Sequence, residues 1–208
     1  MDKLVVMPET PHDHWEYTLK EWNTPLFRRI TDELPKKIGV LYDIGANVGG
    51  FAQVMKDKYP DLQAVCFEPV KENFVALEEY VPWAECINYG IYYGKHESRV
   101  TWRGSNIGAY FVEHINSGEP RVFTGEVMKL EELETFDKLP LPDLIKLDVE
   151  GAEENILEYS ETCRNCPWLI IEWHPDHVNP YEFFKKYLPR HKIVVDLESK
   201  QFLLKIQL

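Results

Sequence analysis

Val40 to Met55 reads VLYDIGANVGGFAQVM, and Ala64 to Pro69 reads AVCFEP. The apolar run Val40-Leu41-Tyr42 ends in Asp43, turns through Gly45-Ala46-Asn47-Val48-Gly49 and enters a helix-like stretch; a second apolar run ends in Glu68. Strand, glycine turn, helix, strand and acid in that order form the first half of a nucleotide-binding α/β sheet. Glu68 stands 19 positions after Gly49, close to the ~20-residue offset at which such a carboxylate reaches a ribose diol.

The turn itself narrows the ligand. A dinucleotide fingerprint needs a second glycine so that the backbone can approach a pyrophosphate. Gly45 and Gly50 fit the outer positions, but Asn47 stands in the middle one. Asp43 adds negative charge where a phosphate would otherwise be drawn to the helix N-terminus. S-adenosylmethionine carries a sulfonium, an ammonium and a ribose but no phosphate, and these residues favour it over NAD.

The chain has 208 residues, 44% hydrophobic and 13% aromatic, with a net charge of −12. That is enough apolar content for a buried core in one domain, read as a helical N-terminal segment (1–38) and a sheet core (39–208). The acidic balance and the lack of a Lys/Arg cluster disfavour a nucleic-acid or anionic-membrane surface. The N-terminus has no signal-like apolar region, and no run is of bilayer-spanning length. Cys66 and Cys86 read as reduced core residues, and Cys163 and Cys166 as thiols near the surface, since a zinc site wants a second ligand pair. A soluble protein of the reducing cytoplasm is the expectation; the oligomeric state is left open.

Outward from the glycine turn, apolar positions at helical spacing predict one or two helices over 13–37. Strands are expected at Val40–Ile44, Ala64–Phe67, Glu85–Tyr89, Leu144–Val149 and Trp168–Trp173, with helices at Gly50–Lys58, Lys71–Tyr80, Ala152–Tyr159 and Tyr181–Tyr187. Val100 to Lys129 alternates in short glycine-punctuated runs, a β-rich insertion. His191 to Leu208 reads as two strands joined by a tight turn at Glu198–Lys200. The order is that of a Rossmann-like, class I methyltransferase-type sheet: seven strands, the last antiparallel, with helices on both faces and the insertion between strands three and four.

Ligands of open α/β sheets bind beyond the carboxyl ends of the strands. Those ends carry Asp43, Glu68, Asn88, Asp148 with Glu150, and Glu172 with His174. Alternation puts Lys146 and Asp148 on one side of strand four. Glu153 and Glu154 fall in the next helix's first turn, where carboxylates complement its dipole, and read as structural.

Together, YDIGANVGGFA, FEPVKENF, IKLDVEGAEENIL and LIIEWHP resemble the FkbM family of S-adenosylmethionine-dependent methyltransferases from about Leu41 to Pro175, with DVEGAE the most distinctive block. The resemblance implies a class I fold and methylation of hydroxyl groups, often on sugars or other glycosylated products. It implies that Asp43, Gly45, Ala46, Asn47 and Gly49 line the methionine part of the cofactor. Glu68, followed by Pro69, would take the ribose hydroxyls, Asn88 and Gly90 would border the adenine, and Asp148 would lie near the transferring methyl.

Methyl transfer to an alcohol needs alignment and removal of a proton. His174 is the first candidate base because imidazole titrates near neutrality; Asp148 is the second, and Glu172 orients His174 or binds substrate. Glu150, Trp173 and the Ser105-Asn106 turn are the candidate acceptor contacts, with Trp102 and Tyr110 as further stacking surfaces. A metal-free site is preferred, with magnesium on Asp148, Glu172 and His174 as the alternative. The expected acceptor is a sugar or glycan. The rivals are a non-sugar hydroxyl or amine acceptor and a non-catalytic cofactor-binding module; an RNA acceptor would want a basic face that this chain lacks.

Overall fold

Strands that are apolar along their whole length can be buried only when helices cover both faces of their sheet. A computed structural model of the protein, which describes residues 11–94, 99–103, 110–112 and 122–207, has this layered form. Helices α1 (Pro11–Trp22) and α2 (Pro25–Asp32) precede β1 (Val40–Ile44), α3 (Gly50–Lys58), β2 (Gln63–Phe67), α4 (Lys71–Tyr80) and β3 (Glu85–Ile87). Four short strands follow: β4 (Gly90–Ile91), β5 (Arg99–Arg103), β6 (Tyr110–Val112) and β7 (Val122–Met128). The series resumes with α5 (Leu130–Asp137), β8 (Leu144–Leu147), α6 (Glu153–Tyr159), α7 (Glu161–Asn165), β9 (Trp168–Glu172), α8 (Pro180–Tyr187), β10 (His191–Leu197) and β11 (Gln201–Ile206).

The main sheet has seven strands in the order β10-β11-β9-β8-β1-β2-β3, and the inserted strands form a second sheet, β4-β7-β5-β6. In the main sheet only β11 runs antiparallel, paired with β9 on one side and β10 on the other. Period-two alternation sorts the core into two layers. Tyr42, Ile44, Val65, Phe67, Ile145, Leu147, Leu169 and Ile171 pack with α5, α6, α7 and α8. Leu41, Ala64, Cys66, Leu144 and Ile170 pack with α1, α2, α3 and α4. Asp43 and Lys146, being two residues on from Leu41 and Leu144, fall on this second face, and the β1–β8 register places them side by side.

Local chemistry accounts for the turns. Gly45 has φ +79, and a Cβ there would lie 1.9 Å from the Asp148 carbonyl oxygen, so only glycine lets the end of β1 pass the end of β8. Thr24 caps α2 by accepting the Phe27 N–H at 3.1 Å, with Pro25 beginning the helix. Glu198 and Ser199 both adopt positive φ, 56° and 59°, giving the turn whose twist suits a two-residue hairpin.

Some elements depart from expectation. The third strand stops at Ile87, and Gly90–Ile91 pairs instead with β7 of the second sheet. Helices α5 and α7 were not anticipated. Cys163 and Cys166 are not near the surface: both are buried, and all four cysteines are free. No helix among the described residues is long and apolar enough to cross a membrane.

Candidate active site

The strand order reverses at β1, with β2 and β3 to one side and β8 and β9 to the other. A cavity of about 220 Å³ lies over this switch point. At its β2 end the glycine turn is pinned to the neighbouring strand: the N–H groups of Gly45 and Ala46 both donate to Phe67 O at 3.0 Å. The Glu68 carboxylate accepts the Asn47 N–H at 2.8 Å through Oε2 and the Val70 N–H at 2.9 Å through Oε1. Burial pushes the Glu68 carboxyl up to about 7 even though these N–H groups favour its charged form. Asn47 sits at φ 53, and its buried Oδ1 has no hydrogen-bond partner among the described residues. Asn88 does not line the cavity; its Nδ2 donates to Glu68 O at 2.7 Å and Pro69 O at 3.2 Å, fixing the loop that does.

Beneath the turn lies a buried ion network. Lys146 Nζ is 3.3 Å from Asp43 Oδ1, 3.2 Å from Asp148 Oδ2 and donates to Gly45 O at 2.7 Å. Asp43 is wholly buried and does not line the cavity. This corrects the expectation that it faces the cofactor: the positive charge it complements is Lys146. Burial raises the Asp43 carboxyl, with the Lys146 ammonium opposing that shift. Gly49 is likewise displaced from the site, packed against Leu77 and Val81, and Gly50 lines the cavity in its place.

At the opposite end, carboxylates surround an imidazole. His174 Nδ1 donates to Glu153 Oε1 at 2.8 Å. This directs Nε2 toward Glu150 Oε2 at 3.4 Å, and toward Asp148 Oδ1 and Glu172 Oε1 at 4.0 Å each. Glu153 is wholly buried and also accepts the Val149 and Gly151 N–H groups at 3.2 and 3.0 Å. Those bonds hold Glu150 and Gly151 at φ 54 and 112, a conformation costing a non-glycine residue on the order of 1 kcal/mol. Burial alone would lower the His174 pKa, but Glu153, Asp148 and Glu150 hold it up to about 9. These carboxylates favour the cationic form of the imidazole. Burial and the nearby Asp148 and Glu172 push Glu150 up to about 7, and the same groups do so for Glu21 of α1. Glu172 is also raised, by burial and Asp148, and is held by Gln201 Nε2 at 2.9 Å.

Of the residues singled out in the sequence, Gly45, Ala46, Asn47, Glu68, Pro69, Gly90, Asp148, Glu150 and Glu172 line this one cavity. Trp173 does not. It is buried against Phe183 and Phe184 with Nε1 donating to Pro175 O, so it offers no stacking face. Ser105 and Asn106 lie outside the described residues, as do the side chains of Trp102 and Tyr110. Sequence reasoning missed Lys146, Glu153 as the partner of His174, and the α1 wall of Tyr17, Thr18, Glu21 and Trp22. A divalent ion would find Asp148, Glu150 and His174, whose donor atoms lie within 4.8 Å of one another, rather than the grouping with Glu172.

Residues 43–192 match the model of the methyltransferase FkbM domain. The chain belongs to the FkbM methyltransferase family. A curated relative, the hexuronic acid methyltransferase AglP of Haloferax volcanii, is 26% identical over 149 residues, which cover 70% of this chain and 60% of that protein's length. Among solved structures, precorrin-6Y C5,15-methyltransferase of Geobacter metallireducens is 11% identical at a TM-score of 0.47, covering 100% of this chain and 92% of that one. Human N-acetylserotonin methyltransferase in complex with S-adenosylmethionine is 10% identical at a TM-score of 0.46, covering 96% and 57%.

Proposed function

We propose that the protein transfers a methyl group from S-adenosylmethionine to a hydroxyl of a sugar or glycan acceptor. The observation that carries this reading is the two-ended cavity of an FkbM-family chain. Glu68 and Asn47, whose Oδ1 has no partner among the described residues, stand at the β2 end, and Asp148, Glu150 and Glu172 at the β8–β9 end. β2 and β9 are three strand spacings apart, roughly 14 Å, room for a nucleoside on one side and an acceptor on the other. Among the described residues, five carboxylates and one lysine line the cavity, which suits a cationic cofactor free of phosphate. The sugar acceptor is favoured by the similarity to AglP.

S-adenosylmethionine, when bound, supplies both an electrophilic methyl and its leaving group. Glu68 would hold the ribose hydroxyls, Pro69 and Gly90 would border the base, and Gly45, Ala46 and Asn47 would bracket the amino-acid end with Asn47 Oδ1 accepting from the ammonium. Asp148, fixed by Lys146, would lie beside the reacting carbon, while Glu172 aligns the acceptor. Correct alignment alone can correspond to effective molarities up to ~10⁵–10⁸ M. A carboxylate would take the proton of the acceptor hydroxyl. Glu150, poised at about 7, suits a base operating near neutral pH, and the His174 cation beside it favours its ionised form. Four free cysteines support a reducing, cytoplasmic setting.

A scan of glycosides for S-adenosylhomocysteine release, run with Asp148→Ala, Glu150→Gln and His174→Ala, tests this reading. Glu150→Gln is expected to lose ~10²–10⁴-fold in turnover while binding S-adenosylhomocysteine within a few-fold of wild type. Wild-type turnover in all three variants would refute the site, and tight NAD binding with weak S-adenosylmethionine binding would refute the cofactor.

A further inference from the structure

Four carboxylates converge on the acceptor end of the cavity: Glu21 from α1, Asp148 and Glu150 after β8, and Glu172 closing β9. The side chains of Asp148, Glu150 and Glu172 keep 20%, 26% and 27% of their surface accessible, so they face the open space rather than the core. The two cations within reach among the described residues already have partners of their own. The buried Lys146 bridges Asp43 and Asp148, and His174 is bonded to the buried Glu153. Counting Asp43 and Glu153, six carboxylates surround two cations among the described residues, and one sulfonium would leave that excess mostly unbalanced. Charges held near one another in a partly closed site interact several times more strongly than in water. Tyr17 and Glu21 lie four residues apart on one face of α1, so an exposed ring stands beside one of the acids.

We infer that the acceptor is an amine-bearing sugar whose ammonium group seats among Glu21, Glu150 and Glu172, with its ring against Tyr17. This rests on the reading of the cavity as a cofactor and acceptor site. The ammonium neutralises the excess charge that would repel a uronate at the same position, so the cage selects by charge before it selects by shape.

Matched methyl glycosides of glucosamine, glucose and glucuronate separate these cases. S-adenosylhomocysteine is titrated first by calorimetry; no binding would remove this proposal together with the reading beneath it. Binding of each glycoside to the S-adenosylhomocysteine complex is then followed by saturation-transfer NMR, and turnover by S-adenosylhomocysteine release, with and without EDTA. The expected order is glucosamine over glucose over glucuronate, with about a tenfold or larger ratio between first and last. Glu21→Gln should narrow that ratio several-fold and make it less sensitive to salt. Equal use of the three sugars, or a preference for glucuronate, overturns the inference. A glucuronate preference that vanishes in EDTA would do so specifically by assigning the carboxylates to a metal ion.

Discussion

Replacing Lys146 with methionine keeps the volume of the side chain and removes its charge. Lys146 and Asp43 are 3% and 0% exposed at the side chain and 3.3 Å apart, and Asp148 is the second partner at 3.2 Å. Deleting one member of such a buried pair leaves the other charge without compensation and costs about 3–5 kcal/mol. The variant also gives up the bond to Gly45 O and the approach of Nζ to the Trp22 ring, 5.4 Å from its centroid. Native domains hold only ~5–15 kcal/mol in reserve, so Lys146→Met should sit near the edge of folding. Urea denaturation followed by circular dichroism measures the loss. Asp43, already raised by burial with Lys146 opposing, would rise further in the variant. The penalty therefore shrinks as acid protonates Asp43. Adding Asp43→Asn should restore much of the lost stability, since an uncharged pair has no ion to desolvate. A single variant less than about 1 kcal/mol below wild type, or a double variant showing simple additivity, would refute the reasoning.

Gly45→Ala must push its new Cβ off the Asp148 carbonyl oxygen at 1.9 Å while holding φ +79; expect impaired folding and S-adenosylhomocysteine affinity lowered at least tenfold, whereas near-native affinity would contradict the close approach. Raised folded-state pKa values at Glu68, Glu150 and His174, about 7, 7 and 9, each favour the protonated form. Their stabilising contribution is complete below the unfolded values and is lost as pH rises through the folded ones. The melting temperature of the ligand-free protein should thus fall from pH 5 to 9, and a rise across that range would be inconsistent with these environments. Glu153→Gln weakens a charged hydrogen bond worth ~1.5–3 kcal/mol; turnover should drop about tenfold or more, and the His174 proton should titrate at lower pH by NMR. An unchanged titration would show that Glu153 does not hold the imidazole.

The glycine turn, the alternating strands and the closing hairpin were readable because each rests on contacts between neighbours in sequence. Glu68 could be placed for the same reason, from its offset to the turn. What escaped depended on partners brought together by the sheet. Asp43 looked like a charge facing the ligand because nothing nearby in the chain reveals that Lys146 lies beside it in register. Glu153 satisfied a local explanation at a helix start, and its stronger bond is to a histidine 21 residues away. Glu21 lies in a helix without a motif and reaches the cavity only because α1 packs on α3, with Thr18 against Gly50.

The pairing of Asp43 with Lys146 also bears on how the sheet chooses its alignment. Side chains alternate faces along a strand, so a slip of one residue between β1 and β8 would turn Lys146 toward the apolar layer of Leu147, Leu169 and Ile171. It would leave Asp43 opposite an aliphatic neighbour. Parallel strands rich in Val, Ile and Leu have little else to tell one register from the next. The ion pair that steadies Asp148 therefore also penalises a misaligned β1–β8 pair, which would bury each charge without its partner.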